Sequence, residues 1–461
     1  MKIFDIQNIL SAICNKGGMP RVVGGFVRDS FLGKDSKDFD IEVYNMPVEE
    51  LKEVLSPFGS VEEVGKSFGV LKLRYRGDDI DFSLPRRESK EGQGHKGFIV
   101  TPDANMTPEE AASRRDFTIN TMLMNPFTGE VVDFFGGKED AIAGILRHTS
   151  VHFAEDPLRV LRSMQFAGRF DMVLAKETAE FCKTLKNEFH TLPVERVWVE
   201  WEKWATKSER PSKGIIALIE SGWLELFPEL SVLQGLEQEH RHHPEGEALF
   251  HTMHCVDAAV AIANRDNLDT EERLVLVLAT LCHDFGKATT TKVRDGKITT
   301  YGHDVEGEAP TRSFLARIGC PQKFVDRIVM LVTTHMFHVF VQDNIADKVV
   351  RRFASKLGNV TNVQEWARVV EADHSGRPPL PGGLPDIAKK IVEMSKDMQI
   401  VSGPPTPILM GRHLIEVFKM TPGKDMGMLL KKAMQAQLDG EFGNLEEAFN
   451  WVEKQNWLQR K

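Results

Sequence analysis

Apolar and polar positions change period once along the chain. Up to about residue 145, short apolar runs alternate with short helical patterns; from about 146 the period becomes 3.6 and stays there. Residues 1–20 carry Ile3, Ile6, Ile9, Leu10 and Ile13 on one face, close on Gly17-Gly18 and predict a helix. The apolar run at 21–23 is broken by Gly24-Gly25, which leads into a short helical pattern bearing Arg28 and Asp29. Asp38-Phe39-Asp40 then opens a second apolar run. Residues 69–75 and 79–84 flank Arg76-Gly77-Asp78 and predict a hairpin, whereas 88–98, rich in Gly, Lys and Ser, predict a mobile loop. In the second regime, 155–166 predict a helix with Asp156 at the N-cap and Pro157 as first helical residue. Residues 195–206, 213–226 and the apolar 274–281 predict further helices, and 378–385 and 403–407 are Pro/Gly-rich linkers. The expected architecture is an α/β head, a small mixed sheet with helices, on a mostly α-helical body. Its divisions are 1–145, a neck at 146–235, a histidine-rich region at 236–345 completed within 346–376, and a tail at 377–461.

Composition narrows this little. A chain of 461 residues holds two to four domains, and 27% charged with 41% hydrophobic residues is ordinary for a soluble protein. No run approaches the ~18 apolar residues of a membrane span. The first ten residues, with an early Asp5, lack the pattern of a signal peptide. Cys14, Cys182, Cys255, Cys282 and Cys320 form no CxxC pair, which points to a reducing cytoplasm without disulfides or zinc fingers. The net charge of −9 means that any nucleic-acid surface must be a local basic patch. Arg86-Arg87, Arg114-Arg115 and the series Arg159, Arg162, Arg169 are candidates; the alternative is charge spread over a solvated surface.

Chemistry enters at the second strand. Residues i and i+2 of a strand share a face, so Asp38 and Asp40 can converge on one point, and Asp81 on the hairpin can join them. Carboxylates are hard ligands suited to Mg²⁺ beside a triphosphate. Gly24 and Gly25 would let backbone N–H groups approach phosphate oxygens, and Arg28 would pair with the same phosphates. Read blandly, the two aspartates cap a turn and the glycines form a tight bend. Gly65-Lys66-Ser67 is similar to a Walker A ending, but Ser60 stands where that motif needs glycine.

The ordered motifs Val23-Gly-Gly-Phe-Val-Arg-Asp-Ser-Phe-Leu-Gly33, Asp38-Phe-Asp40, Arg114-Arg-Asp-Phe-Thr-Ile-Asn120, Val132-Asp-Phe-Phe-Gly-Gly137, Glu155-Asp-Pro-Leu-Arg-Val-Leu-Arg162 and Glu195-Arg-Val-Trp198 resemble bacterial-type CCA-adding tRNA nucleotidyltransferases and their poly(A) polymerase relatives. The resemblance covers roughly residues 20–230. It implies that Asp38 and Asp40 hold Mg²⁺, with Asp81 as the third catalytic acid. It implies nucleotide binding by Gly24, Gly25, Arg28, Arg115, Asp116, Asn120 and Arg162, and a flexible loop at Asp133 to Gly137. Asp156 and Arg159 would read the Watson–Crick edge of CTP or ATP. A carboxylate and a guanidinium at i and i+3 share a helix face, though an N-cap with a local salt bridge would give the same spacing. Gln165 departs from the arginine series spaced by three.

The series His243-Pro-Glu-Gly246, His251, His283-Asp284, Gly302-His-Asp304 and Asp373 resembles the HD phosphohydrolase domain joined to such enzymes. It implies a metal site of His251, His283, Asp284 and Asp373, with His303 and His335 as second-site ligands or phosphate contacts. Such imidazole and carboxylate donors suit Ni²⁺, Mn²⁺, Mg²⁺ or iron better than structural zinc. His254 reads as a packing histidine. The implied activity is addition of C, C and A to the tRNA acceptor end, with cyclic phosphodiesterase or phosphatase activity alongside; the tail would hold the acceptor arm and elbow. Rival readings are a CC- or A-adding specialist, a poly(A) polymerase, an HD hydrolase with a regulatory nucleotide-binding head, and a non-catalytic RNA-binding protein.

Overall fold

The computed structural model describes residues 3–34, 39–64, 69–90 and 98–455. Asp38 and Gly65-Lys66-Ser67 lie outside the described residues. The chain forms two compact units, Met1–Pro228 and Glu229–Lys461.

In the first unit a 3-10 turn, Ile3–Ile6, leads into helix α1 (Gln7–Asn15), whose Ile9, Leu10 and Ile13 are fully buried. The predicted helix over 1–20 is therefore shorter, because Met19 already starts strand β1 (Met19–Val23). Then follow α2 (Gly25–Phe31), β2 (Asp40–Tyr44), α3 (Val48–Leu55), β3 (Ser60–Val64), β4 (Val70–Tyr75), β5 (Asp78–Ser83), β6 (Arg86–Lys90), β7 (Phe98–Pro102) and α4 (Pro108–Ser113). The strands β8 (Leu123–Met124) and β9 (Val131–Val132), helix α5 (Gly137–Ala143) and strand β10 (Ile145–Leu146) complete the α/β part.

Seven strands make one mixed sheet in the order β3-β4-β5-β2-β1-β8-β9. Every pair is antiparallel except β2–β5, which is parallel. Alternate residues of the central strands, Val22, Ile41, Val43, Leu71, Leu73, Ile80 and Phe82, are buried against α1 and α3. Each such side chain contributes roughly 1.5–3 kcal/mol. The predicted 70s–80s hairpin is β4–β5. The predicted loop at 88–98 is in part an antiparallel β6–β7 ribbon, because Arg86 to Lys90 pairs with Phe98 to Pro102.

Helix α6 (Leu158–Phe170), strand β11 (Val173–Leu174) and helices α7 (Lys176–Thr184), α8 (Val194–Lys207) and α9 (Pro211–Glu220) finish this unit. Helix α6 starts after Pro157, one residue later than expected, so Pro157 and not Asp156 is its N-cap; the Asp156 carboxylate accepts from the Leu158 N–H at 3.2 Å. The helix expected over 213–226 stops at Glu220. Helix α6 lies against α8 and α9 around the buried Trp201 and Trp204.

The short helix α10 (Pro228–Ser231) begins at the boundary. The second unit is nearly all helix: α11 (Ala248–Arg265), α12 (Thr270–Cys282), α13 (Lys287–Thr290), the ribbon β12 (Lys292–Arg294) and β13 (Lys297–Thr299), α14 (His303–Glu306), α15 (Glu308–Arg317), α16 (Gln322–Thr334), α17 (Asp347–Leu357), α18 (Val363–Ser375), α19 (Asp386–Asp397), α20 (Gly411–Glu416), α21 (Lys424–Asp439) and α22 (Leu445–Lys454). The starts of α12, α18 and α22 are capped by Asp269, Asn362 and Asn444. Helices α20 to α22 gather around Leu414, Leu429 and Val452. Among the described residues no helix is long and apolar enough to cross a membrane.

Candidate active site and histidine cluster

The first unit carries a cleft of about 880 Å³, a size suited to a nucleotide. One wall is the strand edge. The register pairs Val23 with Asp40 and Ile41 with Phe82, so Asp40 and Asp81 fall on neighbouring positions of β2 and β5. Asp40 is exposed, and Asp81 is half-buried with Oδ1 inaccessible and without a hydrogen bond. The Lys72 ammonium is 3.5 Å from that oxygen. Gly24 follows β1 at φ +68°, where a side chain is strained. A Cβ there would stand 3.5 Å from Arg115 Nη1 and 3.9 Å from Asp40 Oδ2, against two side chains that line the cleft.

The opposite wall is a chain of charged hydrogen bonds. Arg28 donates to Asp29 at 2.6 and 2.9 Å and to Asn120 Oδ1 at 2.8 Å, and stacks over the Phe170 ring at 4.4 Å. Asn120 Nδ2 donates to Asp116 Oδ1 at 2.8 Å, and Arg162 donates twice to Asp116 Oδ2, at 2.6 and 2.8 Å. Phe117 meets Phe153 and Phe166 edge-on at 5.6 Å, which holds the 114–120 segment on α6 and sets Asp116 against Arg162. Burial opposes ionisation of Asp116, but the Arg162 charge, the Asn120 hydrogen bond and the nearby Arg159 outweigh it. The carboxyl is held at about 2. Burial pulls the Arg28 guanidinium down despite Asp29.

Arg159 and Asp156 both line the cleft but do not pair with each other. Arg159 donates to the carbonyls of His152 and Arg114, at 2.7 and 2.8 Å, and Asp156 Oδ2 accepts from Arg196 at 2.7 Å. Of the predicted site residues in this unit, Gly24, Gly25, Arg28, Asp40, Asp81, Arg115, Asp116, Asn120, Asp156, Arg159 and Arg162 all line the one cleft. Gln165 is fully buried in α6, and its Nε2 has no partner. The expected flexible loop is tied at its start: the Asp133 carboxylate accepts from the backbone N–H groups of Phe135, Gly137 and Lys138.

Glu42, Arg196 and Glu200 were not foreseen. Glu42 follows Asp40 by two on β2, accepts from the Tyr44 hydroxyl, and receives Arg115 Nη2 at 3.2 Å. Burial and the Glu42 charge push the Tyr44 phenol up. The i, i+2 rule that selected Asp38 and Asp40 would also have found Glu42. Arg196 and Glu200 sit on α8, and only the packing of α8 on α6 brings them to the cleft.

In the second unit His251, His283, Asp284, His303, His335 and Asp373 meet. His251 and Asp373 come from α11 and α18, and the Nε2–Oδ1 distance between them is 3.1 Å. His283 Nε2 is 3.3 Å from Asp284 Oδ2 and 3.7 Å from Asp373 Oδ1. Asp284 Oδ1 is 3.4 Å from His303 Nε2, which is 3.2 Å from His335 Nε2. The Nδ1 atoms of His283, His303 and His335 each meet the carbonyl three residues earlier, of Thr280, Thr300 and Val332, at 2.7–2.8 Å. That bond places the proton on Nδ1 and leaves the Nε2 lone pair facing the cluster. His251 is oriented instead by Glu245, whose Oε1 is 2.8 Å from its Nδ1.

Burial opposes ionisation of Asp284 and Asp373, yet the surrounding histidines, and Lys287 at Asp284, hold both well below the usual range. Burial, His303 and His283 push His335 down to about 3. His283 Nε2 is buried with no hydrogen bond and faces the Asp284 and Asp373 carboxylates, so this donor set fits a divalent metal. His254, expected to pack, is exposed on α11.

The model of the "Poly A polymerase head domain" matches residues 20–147, and that of the "Probable RNA and SrmB- binding site of polymerase A" matches 171–233. The multifunctional CCA protein of Pasteurella multocida is 38% identical over 311 residues, 66% of this chain and 71% of the relative. That of Actinobacillus pleuropneumoniae is 34% identical over 365 residues, covering 77% of this chain and 85% of its own length. The chain belongs to the multifunctional CCA protein family.

Family membership accords with the backbone. The CCA-adding enzyme of Bacillus stearothermophilus, crystallised with CTP, superimposes with a TM-score of 0.66 at 21% identity, covering 100% of this chain and 99% of that one. The Thermotoga maritima CCA-adding enzyme complexed with tRNA gives 0.56 at 20% identity, over 97% and 94% of the two chains. At such identities the likeness shows the fold alone. The head match ends at residue 147, and the second match spans α7 to α9 of this family member.

Proposed function

We propose that this protein adds C, C and A to the 3′ ends of tRNA from CTP and ATP, releasing pyrophosphate. The single observation that carries the reading is the cleft, where Asp40 and Asp81 stand on adjacent strands facing the Arg28–Asn120–Asp116–Arg162 array. The names of the curated relatives support it. In the reaction the tRNA 3′-hydroxyl attacks the α-phosphorus as the bond to pyrophosphate breaks. The orphaned Oδ1 of Asp81 beside Asp40 suits Mg²⁺, with Asp38 as a further ligand. When bound, Mg²⁺ neutralises the triphosphate and aligns the attacking and leaving oxygens. Asp40 or Asp81 accepts the hydroxyl proton. Gly24 and Gly25 give the phosphates room beside the backbone, and Arg115 stands next to them.

Asp156 and Arg159 present an acceptor and a donor fork to the base. Two of the five Arg159 N–H groups are fixed on carbonyls, so the remaining donors hold one orientation. Arg196 does the same for Asp156. The test uses tRNA transcripts ending before CCA, after C and after CC, with Mg²⁺ and with CTP and ATP given separately and together. Ordered addition that stops after CCA is expected. Addition of C alone, of A alone, or of a long A tail identifies a specialist or a polyadenylating enzyme instead.

A second activity is favoured by the cluster of His251, His283, Asp284 and Asp373, with His303 and His335 beside it. We read it as an HD metal centre that hydrolyses 2′,3′-cyclic or terminal phosphates on RNA ends. When bound, the metal supplies hydroxide from water at neutral pH. Lys287, 2.7 Å from Asp284 Oδ2, and the neutral His335 imidazole stand next to it to meet a phosphate. Release of phosphate from a 2′,3′-cyclic nucleotide by the metal-loaded protein is the expected result.

A further inference from the structure

The HD reading accounts for the histidines and aspartates of the cluster but leaves one side chain in it unexplained. Cys255 follows His251 by four residues on α11 and so shares its face. The residue is fully buried, and its Sγ lies 3.4 Å from His251 Nε2. His251, Cys255, His283 and Asp373 offer one ligand atom each, all within 4.8 Å of one another. Around a tetrahedral zinc with bonds of about 2.0–2.3 Å, donor atoms stand roughly 3.3–3.6 Å apart. The separations here, 3.4 Å from Sγ to His251 Nε2, 3.1 Å from that nitrogen to Asp373 Oδ1, and 3.7 Å from Asp373 Oδ1 to His283 Nε2, straddle that range.

One feature independent of the cysteine points to a ligand. His283 Nε2, on a side chain only 1% exposed, has no hydrogen-bond partner and faces this group. Gly376, just after α18, allows the chain to pack closely on α11 here: a Cβ there would stand 2.2 Å from Cys255 Sγ and 2.9 Å from its backbone nitrogen. The thiol also donates to the Asp373 carbonyl at 3.6 Å, a contact that a metal bond would replace.

We infer that Cys255 is a sulfur ligand at this metal position, joining His251, His283 and Asp373 in a set that selects zinc or another thiophilic transition metal over Mg²⁺ and leaves a fifth position for the water of the proposed hydrolysis. The inference rests on reading the cluster as a metal centre. Thiolate is a soft donor, so it moves the preference away from the hard-oxygen ions that His and Asp alone would admit. On binding, the Cys255 S–H bond gives way to a sulfur–metal bond and the proton leaves to solvent. Asp284 then faces both this position and the side where His303 and His335 stand.

The test uses the full chain, stripped by chelation under reducing conditions and reloaded with Zn²⁺ or Co²⁺ alone. X-ray absorption at the zinc edge is expected to show one sulfur neighbour at about 2.3 Å among nitrogen and oxygen. The cobalt form is expected to show a near-ultraviolet sulfur-to-metal charge-transfer band. Cys255→Ser should remove both signals and weaken zinc binding by about tenfold or more, whereas Cys320→Ser, outside the cluster, should keep both. Stoichiometric binding with only nitrogen and oxygen neighbours would overturn the role of Cys255 and leave the metal centre standing. A chain that takes up neither ion would overturn both. If Cys255→Ser does not fold, the wild-type zinc spectrum decides alone.

Discussion

Replacing Asp116 by asparagine keeps the shape of the side chain and its place beside Asn120 but removes the charge that Arg162 clasps with two hydrogen bonds. Asp116 is 8% exposed, while the Arg162 side chain is 32% exposed, so solvent screens the pair in part. Its carboxyl is held at about 2 against an ordinary 3.8, by Arg162, Asn120 and Arg159 acting over the opposing cost of burial. A displacement of nearly two units is about 2.5 kcal/mol of preference for the folded state at neutral pH. Because the folded value is depressed, that contribution is complete above about pH 4 and is lost as pH falls from there towards 2. The assay is urea unfolding of wild type and Asp116→Asn at several pH values. The signal is tryptophan fluorescence from Trp198, Trp201 and Trp204 on α8, which packs on the same helix as Arg162. Urea leaves the ion pair unscreened, unlike guanidinium salts. The variant should be less stable by about 2–3 kcal/mol at pH 7, and the difference should shrink by pH 3. Combined with Arg162→Gln it should cost much less than the sum of the two single changes. An equal loss at pH 7 and pH 3, or none at pH 7, would refute the reasoning.

Asp40→Ala should abolish nucleotide addition and spare release of phosphate from a 2′,3′-cyclic nucleotide, while Asp284→Ala should do the reverse; loss of both by either change contradicts two separate sites. Gly24→Ala forces φ +68° on a residue with a Cβ facing Arg115, and should lower kcat for addition at least ~10-fold while costing about 1–2 kcal/mol of stability; urea unfolding and steady-state kinetics separate the two. Arg196→Ala should relax the choice between CTP and ATP more than it lowers total incorporation, because it frees Asp156 without touching the strand carboxylates. Chelation should lower the melting temperature of the second unit, since an ion at 100 times its Kd adds about 2.7 kcal/mol; His283→Ala should abolish the difference.

How far the sequence went depended on whether partners were local. Gly24, Asp40 and Asp81 were legible because strand alternation and a glycine turn are readable over a few residues. The histidines were legible through an ordered series that resembles an HD domain, with His283-Asp284 directly after the apolar helix α12. The β6–β7 ribbon was not, since its Gly- and Lys-rich composition reads as loop and its pairing joins residues a dozen apart. Asp156 and Arg159 were expected to act side by side. Their actual companions, Arg196 forty residues on and the carbonyl of Arg114, belong to tertiary contacts that no helical spacing reports. Cys255 was passed over because, without a CxxC spacing, a single cysteine carries no signal until Asp373 and Gly376 are brought against it.

Among the described residues the cleft is lined by Arg28, Arg86, Arg114, Arg115, Arg159, Arg162 and Arg196, and by Asp40, Glu42, Asp81, Asp116, Asp156, Glu195 and Glu200. Seven guanidinium groups meet seven carboxylates. Such a lining is a zwitterionic lattice with no long-range field of its own, so it does not draw in every passing polyanion from a distance. On the proposed reading, an entering triphosphate is held at contact range by Mg²⁺ on the strand carboxylates and by arginines such as Arg115 and Arg162, where it competes with their carboxylate partners Glu42 and Asp116. Fit at contact range, and not net charge, therefore decides what stays, which is how a chain of charge −9 can hold a strongly anionic substrate.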